Sequence, residues 1–259
     1  QEVEQMNLFK DMVCYQEEVR DPSRMAEVLN RVIEKAFRGS APAQINVPRD
    51  YWTQVIDIEL PPIVRFERQG GGKEAIENAA KLLSKAKFPV ILSGAGVVLG
   101  GAIDECKKLA EKLDAPVCNG YQHNDSFPGS HPLAVGPLGY NGSKAAMELI
   151  SKADVVLALG TRLNPFSTLP GYGIDYWPKK ATIIQVDMNP DRIGLTKKVS
   201  VGICGDAKQV AQQILDKLTS DAGNTGREER KNLIHKTKSA WLQTLSGLDH
   251  EEDDPGTVW

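Results

Sequence analysis

Gly94, Gly96, Gly160, Arg162 and Asp187 are the residues whose types and positions could do chemistry. Each follows a short apolar run: Val90, Ile91 and Leu92 before the first pair, the 154–159 run before Gly160 and Arg162, and Ile183, Ile184 and Val186 around Gln185 before Asp187. A glycine turn at the start of a helix leaves backbone N–H groups where a phosphate can sit. A guanidinium can hold a pyrophosphate, and a carboxylate can accept a hydrogen bond from a ribose or an adenine. Together these residues make an adenine-nucleotide crevice. Each also has a plain structural reading. The glycines permit tight turns and close packing of helix on strand. Asp187 can cap the turn into Asn189-Pro190, Asp206 fits the N-cap of a helix, and Arg162 can pair with a neighbouring carboxylate. Both readings stay open at this point.

A nicotinamide dehydrogenase fits poorly. The spacing of Gly94, Gly96 and Gly100 is one residue too long for the strict dinucleotide pattern. The acid that pattern needs after the second strand is replaced by Cys118-Asn119-Gly120. His123 and His131 are eight positions apart with no thiolate near, which is no metal-ligand spacing. For Asp125 and Ser126, hydrogen bonding within their own loop is the expected role. Cys14, Cys106, Cys118 and Cys204 are scattered, without a CxxC pair. With no secretory pattern at the start of the sequence, they read as the thiols of a reduced, cytoplasmic protein.

These residues need a scaffold to bring them together. Residues 73–219 alternate helical periodicity with about six short apolar runs. That is the pattern of an α/β fold with a doubly wound, Rossmann-like parallel sheet, because strands covered on both faces have no wet face to alternate with. Gly100 and Gly101 are expected to open the helix that follows the first of these strands. Residues 1–60 hold one helix, started by Asp21-Pro22, between strands expected within 12–19 and 43–47. That is an incomplete α/β segment. Pro61-Pro62 and the Gly70-Gly71-Gly72 triplet bracket a linker, 61–72. Residues 220–259 change character: a charged helix over 227–245 with Leu233, Trp241 and Leu245 as apolar contacts, then an acidic run, Glu251 to Asp254, read as a solvated tail. A net charge of −3 gives no footprint for nucleic acid or an anionic membrane, and no apolar run reaches the ~20 residues a membrane span needs.

The phrases FPVILSGAGV, APVCNGYQHNDSFPGSHPL, ADVVLALGTRL, IIQVDMNP and GICGDAK resemble, in order, the central domain of thiamine-diphosphate-dependent enzymes, the group that includes acetohydroxyacid synthase and oxalyl-CoA decarboxylase. QHNDSFPGSHPLAVGPLGYNGSKAAM, LNPFSTLPGYGIDYWP, KKVSVGICGDAK and the tail DHEEDDPGTVW are similar to the branch that acts on sulfoacetaldehyde. The resemblance implies a transferase of the taurine-degradation route that turns sulfoacetaldehyde and phosphate into acetyl phosphate and sulfite. The cofactors implied are thiamine diphosphate and Mg2+, which supply the carbanion chemistry. A full-length homodimer or homotetramer is implied, with neither nucleic acid nor membrane as partner. Residues 1–60 then correspond to the end of the pyrimidine-binding domain. The catalytic glutamate is expected ahead of Gln1, and the motif that holds magnesium and diphosphate beyond Trp259, because Gly205-Asp206-Ala207 lacks its second glycine and its Asn. The chain is therefore expected to be an internal piece of the enzyme, inactive and free of cofactor by itself. By resemblance, Gln1 and Arg49 lie at the edge of the complete active site, with Arg where the pattern has Lys. The central crevice of the family holds FAD in one member and ADP in another. Here a vestigial crevice of Gly94, Gly96, Gly160, Arg162 and Asp187 is expected. The alternatives are a stand-alone adenine-nucleotide module and another thiamine-dependent enzyme such as an acetolactate synthase.

Overall fold

The computed structural model describes residues 3–62 and 67–248. The chain divides into two compact units, Gln1–Phe66 and Glu67–Trp259.

The first unit runs α1 (Gln5–Phe9), β1 (Tyr15–Glu18), α2 (Met25–Gly39) and β2 (Ala43–Asn46). β1 and β2 pair in parallel, Tyr15 opposite Ala43. The Asp21 carboxylate accepts from the Ser23 amide at 2.9 Å and Pro22 follows it, so a 3-10 turn, Pro22–Arg24, leads into α2. Ser40 ends α2 in the left-handed conformation, φ 45°. Val28 and Val32 are buried with Val19, whereas Leu29, Ile33 and Phe37 on the next stripe of α2 are exposed. β1 and β2 fall within the strands expected at 12–19 and 43–47, whereas α1 has no counterpart in the sequence expectation.

The second unit is a six-stranded, all-parallel sheet in the order β5-β4-β3-β6-β7-β8. Its strands are β3 (Pro89–Ser93), β4 (Val117–Asn119), β5 (Ala134–Pro137), β6 (Val155–Leu159), β7 (Thr182–Asp187) and β8 (Val201–Cys204). Every residue of β3 and of β6 is buried, which is why both read as unbroken apolar runs. The helices are α3 (Lys73–Lys85), α4 (Ala95–Leu99), α5 (Ile103–Leu113), α6 (Lys144–Ile150), α7 (Ala207–Lys217) and α8 (Arg227–Leu248). α7 packs on both α3 and α5, and α6 packs on α8. The chain builds β3, β4 and β5 to one side and then β6, β7 and β8 to the other. The topological switch point therefore falls between β3 and β6, where ligands of such sheets bind.

Three local expectations are corrected. The helix after β3 does not wait for Gly100 and Gly101: α4 starts at once, with Gly94 as its N-cap, and α5 follows from Ala102. The later part of the expected linker is held rather than loose. Arg68 pairs with Asp206 at 2.8 Å, the Gln69 carbonyl accepts from the Asp206 amide at 2.7 Å, and the Gly70 carbonyl accepts from Gln213 at 3.0 Å. On α8 the buried side chains are Arg230 and Ile234, and Leu245 is exposed. The acidic run from Glu251 lies outside the described residues.

Candidate functional site

The carboxyl ends of β3, β6 and β7 bring the crevice residues into one neighbourhood. Gly94 and Gly96 follow β3 and meet Gly160, which follows β6. The Gly94 amide donates to the Leu159 carbonyl at 3.0 Å, and the Gly96 amide donates to the Gly160 carbonyl at 2.8 Å. A Cβ on Gly96 would lie 2.7 Å from Gly160 Cα, and one on Gly94 would lie 2.6 Å from the Gly160 carbonyl oxygen. Only bare backbone on both sides allows this approach. Gly160 also needs its glycine for a left-handed φ of 61°. The amides of Gly94 and Gly96 are thus engaged by main-chain carbonyls of the neighbouring crossover. The Val97 amide turns back to the Gly94 carbonyl at 3.0 Å. The turn is closed on its neighbour, which corrects the expectation of bare N–H groups there.

Asp187 is buried at the end of β7, and its carboxylate accepts from the Asn189 amide at 2.9 Å. Asn189 repeats the device on Asp191 at 2.9 Å. Both are local turns of the Asx type, in which a side-chain oxygen stands in for a backbone acceptor. Arg162 is exposed and makes no ion pair among the described residues. Its loop is latched instead by Thr196, whose hydroxyl donates to the Leu163 carbonyl at 2.7 Å. Asp206 caps α7, accepting from the Lys208 and Gln209 amides at 3.1 and 3.2 Å, while its other oxygen faces Arg68. In the loop after β4, Ser126 and Ser93 exchange hydrogen bonds at 3.1 and 3.2 Å, and Asn119 donates to the Ser126 hydroxyl at 3.0 Å. Ser126 is fully buried in these contacts.

Arg49 stands exposed in the first unit, at the start of a 3-10 turn, Arg49–Thr53. Gln1 lies outside the described residues. Arg49 belongs to the first unit and the crevice residues to the second.

Two buried polar residues escaped the sequence reading. Gln185 lies in the middle of β7 and is almost fully buried. Its amide donates to the Thr161 and Arg192 carbonyls at 3.1 and 3.2 Å and accepts from the Gly194 amide at 2.9 Å, tying the loops after β6 and β7 together. A single polar residue inside an apolar strand was the available signal. Arg230 is 1% exposed, and its guanidinium donates to five main-chain carbonyls. They belong to Asp114 at 2.9 Å, Lys87 at 2.6 Å, Thr225 at 2.8 Å, Leu113 at 2.9 Å and Gly223 at 2.6 Å. Burial pulls its pKa below the usual arginine value. Its signal was register: Arg230 begins the stripe that Ile234 and Trp241 continue on α8.

The family model described as "Thiamine pyrophosphate enzyme, central domain" matches residues 76–214. The probable sulfoacetaldehyde acetyltransferase of Rhizobium meliloti is 79% identical over 259 residues, which is 100% of this chain and 44% of that protein. The sulfoacetaldehyde acetyltransferase of Roseovarius nubinhibens is 78% identical over the whole chain and 43% of its own length. The probable acetolactate synthase large subunit of Methanocaldococcus jannaschii is 33% identical over 96% of this chain. The chain therefore spans less than half the length of the curated relatives it matches. Among solved structures, benzoylformate decarboxylase from Polynucleobacter necessarius superposes with a TM-score of 0.73 over 86% of this chain and 42% of that one, at 23% identity. That likeness speaks for the fold alone.

Proposed function

The chain belongs to the thiamine pyrophosphate enzyme family, whose central-domain model it matches over residues 76–214, and on that premise we propose that it is part of a sulfoacetaldehyde acetyltransferase. The reaction is the conversion of sulfoacetaldehyde and phosphate into acetyl phosphate and sulfite. One observation carries this reading: identity of 79% and 78% to relatives so named extends over all 259 residues, loops included. An acetolactate synthase activity is disfavoured by the fall to 33% identity against that group.

In this reading the described residues around Asp206 are not the site of the magnesium and diphosphate part of the cofactor. Asp206 is engaged by two α7 amides and by Arg68. Among the described residues no group of three or more His, Cys, Asp or Glu side chains could hold a metal ion. In this reading thiamine diphosphate and Mg2+ belong to the longer, cytoplasmic, oligomeric enzyme, and this chain works as its scaffold. By resemblance, Arg49 of the first unit would lie at the edge of the complete active site, as would Gln1. The second unit is a Rossmann-like body in which Gly94, Gly96 and Gly160 knit two crossovers together and Asp187 holds a turn. The engaged amides of Gly94 and Gly96 support a vestigial crevice over a nucleotide-binding module.

The test is sulfite release. The longer protein that contains this chain is incubated with sulfoacetaldehyde, phosphate, thiamine diphosphate and Mg2+. Release that requires all four is the expected result. Acetolactate formed from pyruvate, with no sulfite from sulfoacetaldehyde, would replace the proposal with the synthase reading.

A further inference from the structure

A second cavity, of about 580 Å3, lies at the edge of the sheet away from the crevice. It runs between α8 and the segment that enters β5. Leu133 precedes β5 and Asp114 precedes β4, so the cavity sits at the amino ends of these strands. Gly94, Gly160 and Asp187 sit at the carboxyl ends. We propose that this groove binds a small monoanion with an apolar body, a carboxylate or sulfonate carrying an aryl or branched alkyl group.

The apolar part of the argument rests on the walls. Leu133 and Ile234 are buried beneath the groove, and Leu242 and Pro132 stand exposed beside it. An apolar group placed there would cover these side chains and remove their surface from water.

The charge part rests on which groups already have partners. Asp114 is matched by Arg227 and by Lys231, the latter at 3.9 Å. Glu111 faces His131 at 3.2 Å and Lys107 at 4.0 Å. Lys238 has no such match. Its ammonium donates to the main-chain carbonyls of His131 and Pro132 at 3.0 and 3.3 Å, and no carboxylate lies within ion-pair distance among the described residues. The burial that lowers its pKa also strengthens any attraction to an anion. Lys238 is the lining ammonium with no carboxylate beside it among the described residues, and it supplies the contact for one negative charge. His235 and the Ser239 hydroxyl line the same wall and can donate to the oxygens Lys238 leaves over, one in a carboxylate and two in a sulfonate.

The test uses the full 259-residue chain and two fluorescent probes of nearly the same shape, 8-anilinonaphthalene-1-sulfonate and its uncharged parent N-phenyl-1-naphthylamine. The sulfonate is expected to bind saturably, one per chain. Lys238→Met should weaken the sulfonate tenfold or more and the uncharged amine less than twofold, while Lys238→Arg stays within threefold of the parent. Ser239→Trp, which fills the groove from the partly exposed face of α8, should abolish both. Loss of both probes alike in Lys238→Met, or retention of the sulfonate in Ser239→Trp, overturns the proposal. So does a dimer in sedimentation equilibrium that Ser239→Trp dissociates, because the groove would then be covered by a second copy.

Discussion

The amide of Gly96 donates to the carbonyl of Gly160 at 2.8 Å, across the point where the two halves of the sheet diverge. Each glycine makes room for the other, since a Cβ on either would lie 2.7 Å from the Cα of its partner. Gly96 lies inside α4, where alanine would ordinarily gain about 1 kcal/mol. The contact reverses that sign. Gly96→Ala and Gly160→Ala should each destabilise the chain by about 1–3 kcal/mol through overpacking, seen as a lower urea midpoint with an unchanged slope. A stabilised Gly96→Ala variant would show that the two crossovers can move apart.

Arg230→Met should destabilise the second unit by about 3–5 kcal/mol. It strips five carbonyls, those of Leu113 and Gly223 in buried bonds, of their donor and leaves an apolar stem in a polar cage. Arg230→Lys should recover only part of the loss, because an ammonium has three donors where the guanidinium uses five bonds. Urea unfolding followed by far-UV circular dichroism measures both; a loss below about 1 kcal/mol for the Met variant would mean that water replaces the guanidinium.

Thiol titration should divide the cysteines into classes. Burial pushes Cys106 up to about 12, and it pushes Cys118 higher still. Both are fully buried, whereas Cys14 is exposed and Cys204 is partly so. Ellman's reagent at pH 8 should modify Cys14 within minutes, Cys204 more slowly, and the other two only after unfolding. Rapid reaction of all four in the native chain would contradict this packing.

In the first unit, hydrogen bonds from Arg24 and then Arg31 lower the Glu27 pKa to about 2. A carboxylate whose folded pKa is depressed adds stability that is complete above its unfolded value of 4.5. That stability is lost as pH falls through the folded value. The first unit should therefore lose stability between about pH 4.5 and about pH 2. Arg24→Gln should move the Glu27 titration, read by carboxyl-carbon NMR, upward. A midpoint near 4.5 in the parent chain would remove the ion pair from solution.

Within the longer enzyme, Arg49→Ala should raise KM for phosphate or for sulfoacetaldehyde about tenfold, on the reading that its exposed guanidinium meets an anionic substrate. Unchanged KM for both substrates would leave Arg49 without a role in the site.

Much of the second unit was legible in the sequence because its strands are buried on both faces and so announce themselves as apolar runs. Asp206 was readable as a cap from its residue type and position, and it accepts from the Lys208 and Gln209 amides at 3.1 and 3.2 Å. The behaviour of the glycine turn was not. Whether the Gly94 and Gly96 amides are bare depends on the carbonyls of Leu159 and Gly160, more than sixty residues away, and no local pattern reports where a neighbouring crossover will press. Gln185 and Arg230 were missed for a related reason. A polar side chain is read by default as solvent-facing, yet each of these two takes its partners from several segments at once. The first unit was legible only as one helix between two strands, since half of α2's apolar surface packs on nothing within it.

The five acceptors of Arg230 have a consequence for the order in which the chain acquires its structure. Thr225 and Gly223 are 5 and 7 residues away, but Lys87, Leu113 and Asp114 are 143, 117 and 116 residues away. The socket that receives the guanidinium does not exist until the chain between α3 and β3 and the end of α5 are both in place. Loop closure over such distances comes late. α8 is thus expected to lock onto the second unit only after those segments have formed. Its amides should exchange with deuterium ahead of those of β3 and β6, through a local opening that leaves the sheet intact.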